Sequence, residues 1–91
     1  VKSEEITYEI LRIRDFGKAM RRRNVKVRIF NYSPSEDSLK KLAESIWLQL
    51  GQDVEELTTV FYLPGMNPKS TGFALGGCMK EKECYVTLDQ L

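Results

Sequence analysis

Ninety-one residues with 42% hydrophobic and 30% charged side chains suit one globular domain and exclude a disordered chain. A net charge of +1 gives no global pull toward nucleic acid or membrane, and the absence of histidine excludes Ser/His/Asp and Cys/His catalysis. No apolar run approaches the roughly 20 residues that span a bilayer and no signal-peptide pattern is present; a start at Val1 rather than Met reads as a fragment of a longer or processed protein.

Ile6 to Arg14 is rich in β-branched and aromatic residues and predicts a first strand. Its even positions carry Tyr8, Ile10, Arg12 and Arg14; its odd positions carry Leu11 and Ile13. Asp15-Phe16-Gly17-Lys18 supplies turn chemistry. A second strand is expected from about Asn24 to Tyr32, with Val25, Val27 and Ile29 on one face and Lys26, Arg28, Phe30 and Tyr32 on the other.

Ser33-Pro34-Ser35-Glu36 then reads as a capping box, with Ser33 at N-cap, Pro34 at N1 and Glu36 at N3. Behind it Leu39, Leu42, Ala43, Ile46, Trp47 and Leu50 form one apolar stripe at helical spacing, and Gly51 is a natural stop. The spacing predicts a helix over 34–50. Leu57 to Leu63 is apolar or aromatic on both faces, as an interior strand would be. Pro64 to Ser70 is a loop with two prolines. Thr71 to Cys78 and Cys84 to Leu88 make a last hairpin turned by Lys80-Glu81-Lys82. The expected fold is α+β, in the order ββαβββ, with one amphipathic helix packed on one face of a mainly antiparallel sheet.

At Phe61-Tyr62-Leu63-Pro64-Gly65-Met66, followed by the glycine-containing strand from Thr71, the chain resembles a family of small uncharacterised bacterial domains. In that family a helix opened by Ser and acidic residues precedes a strand ending in an aromatic-Tyr-Leu-Pro-Gly-like segment, then a Gly/Ala-rich strand and a hairpin. The resemblance covers roughly residues 6–88. It implies a part of an exported or envelope-associated bacterial protein, and it carries over no functional residue. This chain departs from the family in placing Cys78 and Cys84 around the last hairpin, where a Trp and a Pro-Asn-Gly-type turn are more usual.

No catalytic, cofactor or metal signature emerges. The carboxylate pairs Glu36/Asp37 and Glu55/Glu56 stand at a helix start and a strand entry, where the helix dipole or solvent accounts for the first. Cys78 and Cys84 have five residues between them, which is neither a redox CxxC nor half of a zinc site. A hairpin register pairing Ala74 with Leu88 and Gly76 with Val86 sets Cys78 opposite Cys84. Opposed residues at a non-hydrogen-bonded site have Cα atoms about 4.5 Å apart, near disulfide range. The pair is then either a bridge, suited to an exported protein, or two reduced cysteines acting as small apolar residues.

Charge is unevenly distributed. Residues 1–32 hold nine Lys/Arg against four Asp/Glu, and residues 33–91 hold five against nine. Arg12, Arg14, Arg21, Arg22, Arg23, Lys26 and Arg28 are therefore a candidate anion contact, or else a solvated hairpin that keeps an edge soluble. If the helix covers Leu11, Ile13, Val25, Val27 and Ile29, the opposite face gathers Tyr8, Ile10, Phe30 and Tyr32, extended by Val60 and Tyr62. One helix covers one face only, so this second face is the candidate partner surface. Two function classes follow. One is a non-enzymatic interaction or assembly domain that docks a protein partner, a neighbouring domain or a copy of itself. The other is a nucleic-acid-binding module that stacks bases on the sheet-face aromatics and holds phosphates on the hairpin over 12–28.

Overall fold

The alternation that marks the second strand fixes where the core lies. Val25, Val27 and Ile29 are fully buried on one side of β2 (Arg22–Ile29), which pairs antiparallel with β1 (Tyr8–Phe16). The computed structural model describes residues 6–30 and 34–88. After β2 the chain crosses through α1 (Glu36–Leu50) to β3 (Glu56–Tyr62), which lies parallel to β2. A parallel neighbour needs such a crossover, because a tight turn returns only an antiparallel strand. β4 (Ala74–Met79) and β5 (Tyr85–Leu88) complete a sheet ordered β1-β2-β3-β4-β5. The result is the expected α+β fold, one helix on a sheet whose other pairings are antiparallel.

The helix stripe works as its spacing predicts: Leu39, Leu42, Ala43 and Ile46 are buried against Val25, Val27, Ile29, Leu57 and Phe61. Trp47 and Leu50 flank that core and are half-buried. The helix settles closely on β4. A Cβ at Gly76 would stand only 3.2 Å from Ala43 Cβ and 3.2 Å from Phe61 Cε2, so glycine there lets the helix approach.

The helix starts two residues later than the capping box predicts. Ser35 is the N-cap; its Oγ accepts from the Ser38 N–H at 3.1 Å, and Glu36 and Asp37 fill the first turn, where the dipole favours them. Ser33 lies outside the described residues. Pro34 is buried at the position before the cap and Leu39 is buried at the fourth helical position, the two sites of a hydrophobic staple. Gly51 ends the helix, but at φ −116 it is not left-handed. It is required because the Trp47 ring lies across it, leaving no room for a Cβ.

Two further expectations are corrected. Leu11 forms a bulge in β1, with the register shifting between Ile10 and Arg12. The extra residue reverses the parity of the strand's first half. Tyr8 therefore pairs with Ile29, and Ile10 with Val27, on the helix side of the sheet, not beside Phe30. The second face is also not bare. The segment 63–73 between β3 and β4 folds back across it, so that Tyr62 is 1% exposed although it points away from the helix.

Candidate functional site

The second face is assembled by strand alternation. Lys26 and Arg28 from β2, Val60 and Tyr62 from β3, Leu75 and Gly77 from β4, and Tyr85 and Thr87 from β5 share parity in the observed registers. Helix-side partners such as Thr59, Phe61 and Gly76 alternate with them.

Three hydrogen bonds hold the overlying segment. Lys26 Nζ donates to the Pro68 carbonyl at 2.9 Å, Arg28 donates to the Met66 carbonyl at 3.0 Å, and the Tyr62 hydroxyl donates to the Ser70 carbonyl at 3.1 Å. Burial pushes the Tyr62 phenol above its ordinary pKa, so it remains a donor. Between this segment and β5 lies a hollow of about 620 Å³, whose lining includes Lys26, Val60, Leu75, Tyr85, Thr87 and Leu88. Its wall depends on a glycine: Tyr85 pairs with Gly77, and a Cβ there would fall 2.5 Å from the ring's Cζ. The aromatic ring thus lies across β4, still half exposed.

Among the described residues the lining has no carboxylate, cysteine or histidine. The one cation among them, Lys26, already serves a carbonyl, and the rest is apolar surface with several hydroxyls. Such a cavity can seat an apolar side chain or a small apolar ligand. Among the described residues no group of His, Cys, Asp or Glu could hold a metal ion.

The candidate anion contact does not form one patch. Arg23 turns to the helix side, where it pairs with Asp15 at 2.6 Å and Asp53 at 2.9 Å and donates to the Leu50 carbonyl at the end of α1. There it supplies the cation that the last turn of the helix lacks. Its hydrogen bonds hold the Asp15 and Asp53 carboxyls below their ordinary pKa and raise that of Arg23 itself. Arg22 is 3.4 Å from Glu56, while Lys26 and Arg28 are tied to the overlying segment. Arg12, Arg14 and Arg21 are exposed; Arg12 stands opposite Lys26, and Arg14 opposite Asn24.

The expected partner face is likewise redistributed. Tyr8 and Ile10 sit on the helix side at the sheet edge, with Ile10 41% exposed; Phe30 is exposed just past β2, and Tyr32 lies outside the described residues. Val60 and Tyr62 do lie on the second face. The second-face residues missed are Leu75, Tyr85 and Thr87; Leu88 also lines the hollow, although it pairs with Ala74 on the helix side. The signal for the first three was present, since the last-hairpin register already sets Gly77 opposite Tyr85 and Leu75 opposite Thr87.

The two cysteines are joined as a disulfide, with Cα atoms 4.3 Å apart. The hairpin has the anticipated register, Ala74 facing Leu88 and Gly76 facing Val86. Both cysteines belong to the buried helix side. Among the described residues no helix is long and apolar enough to cross a membrane. No family model, curated protein or solved structure matches the chain, so its own residues carry the functional argument.

Proposed function

We propose that the chain is a non-enzymatic protein-interaction domain that receives an apolar side chain or short segment of a protein partner in the second-face hollow. The observation that carries this reading is the hollow itself, an apolar recess open between Tyr85 and the segment 63–73. Recesses of this kind accept the buried anchor residues that dominate binding energy. The disulfide supports residence in an oxidising compartment, in keeping with the exported bacterial protein that the family resemblance implies. Nucleic-acid binding is the weaker reading, because Arg22, Arg23, Lys26 and Arg28 already have partners within the chain.

Isotope-labelled protein titrated with a leucine- and phenylalanine-bearing decapeptide, and separately with a single-stranded oligonucleotide, distinguishes the two. The peptide is expected to shift the amides of Leu75, Tyr85 and Thr87, to tolerate added salt, and to lose its effect in Leu75→Asp. Oligonucleotide-induced shifts at Arg12, Arg14 and Arg21 that collapse as salt rises would transfer the function to the alternative.

A further inference from the structure

The outer side of β1 is a surface distinct from the hollow. β1 is an edge strand of nine residues, and among the described residues no element pairs with its outer side. It also displays Ile10 at 41% and Ile13 at 47% exposure. A long edge with exposed apolar side chains is a template for another strand.

The direction of its backbone groups follows from one hydrogen bond. Phe30 N–H donates to the Thr7 carbonyl at 2.9 Å, so Thr7 and Glu9 turn their backbone groups toward β2. Tyr8 and Ile10 therefore turn theirs outward. Beyond the bulge, Arg12, Arg14 and Phe16 face Lys26, Asn24 and Arg22, which keep the phase of Arg28. Ile13 and Asp15 are then the outward pair. The bulge places two residues rather than one between the outward positions Ile10 and Ile13, so a regular partner strand would fall out of step.

A strand with the same irregularity would not. We infer that β1 pairs antiparallel with β1 of a second copy of this chain, about a twofold axis normal to the sheet, with Ile10 opposite Ile13 of the other copy. In that register outward groups meet outward groups: Tyr8 faces Asp15, Ile10 faces Ile13, and the two bulges lie across the axis from each other. Side-chain faces match as well. Ile10 and Ile13 are both on the helix side, through their partners Val27 and Val25, whereas Glu9 and Arg14 are both on the second face, through Arg28 and Asn24. Glu9 then faces Arg14 of the other copy, and twofold symmetry repeats this opposite-charge pair. The product is a ten-stranded sheet carrying both helices on one side.

The test is sedimentation equilibrium of the 91-residue chain across a concentration series. The parent is expected to associate reversibly to a dimer. Glu9→Arg and Arg14→Glu each place like charges opposite one another at two sites, and each should weaken association about tenfold or more. An equimolar mixture of the two variants restores both opposite-charge pairs and should dimerise like the parent. Ile13→Pro removes an outward N–H without touching the hairpin ladder and should abolish association while the thermal melt stays close to that of the parent. A parent that stays monomeric at about 1 mM, a mixture that stays monomeric although both variants are folded, or a dimer indifferent to Ile13→Pro would each overturn the inference.

Discussion

The close seat of α1 on β4 makes Gly76→Ala a sharp probe of the fold. Gly76 has partners on both sides, Thr59 on β3 and Val86 on β5. A methyl there would stand 3.2 Å from Ala43 Cβ and from the Phe61 ring. Neither can retreat easily, since Ala43 is 1% and Phe61 0% exposed. Removing glycine's backbone freedom favours folding by about 0.5–1 kcal/mol, whereas overpacking a closed core costs about 1–3 kcal/mol. The expected net loss is about 1–2 kcal/mol, a sizeable share of the roughly 5–14 kcal/mol available to a chain of this length. Ala43→Gly removes one of the two clashing atoms, at a helix-propensity cost of about 1 kcal/mol. The double variant should therefore be more stable than the sum of the singles predicts, by about 1 kcal/mol. Urea melts followed by the fluorescence of Trp47, the single tryptophan, and by far-UV circular dichroism measure all four corners of the cycle. A Gly76→Ala chain as stable as the parent, or a cycle without coupling, would refute the close approach.

Other outcomes follow from individual groups. The Thr59 hydroxyl is fully buried with no hydrogen-bond partner among the described residues, so Thr59→Val should raise stability by about 1–2 kcal/mol in the same urea assay. Ser35→Ala should cost about 1 kcal/mol through loss of the bond to the Ser38 amide; an unchanged melt would place the cap elsewhere. Denatured, unreduced protein recovered from an oxidising compartment should resist alkylation at Cys78 and Cys84 and take up two labels after reduction, read by mass. Asp15 and Asp53 have folded pKa values below the unfolded value of about 3.9. Their contribution is present above that pH and disappears as pH falls through the folded values. Arg23→Gln should therefore be less stable than the parent at pH 7 by a margin that shrinks in acid, and carbon-detected carboxyl titrations should show both pKa values rising.

How far the sequence reaches is visible strand by strand. The stripe from Leu39 to Ile46, the buried row Val25, Val27 and Ile29, and the register that sets Cys78 against Cys84 were all legible. Each is a local periodicity that only one burial pattern satisfies, since a one-residue slip would turn an apolar row outward. The last hairpin was legible because its short turn leaves few registers to choose from. The bulge at Leu11 was not, because a bulge is decided by how the edge strand fits its neighbour, and the composition of β1 permits either parity for Tyr8 and Ile10. The engagement of the basic residues was equally hidden. Arg23 meets Asp53 and the end of α1 thirty residues or so along the chain, and Lys26 and Arg28 find carbonyls about forty residues away. Ser35 is the cap, two residues later than expected, because several hydroxyls stand near the helix start and local sequence does not decide which of them reaches an amide. The hollow needed all of this at once, for it exists only where the segment 63–73, the alternation of three strands and one ring lying over Gly77 come together in space. Periodicity settles what each element buries, but the contents of the opposite face depend on which distant segments fold over it, and only tertiary packing decides that.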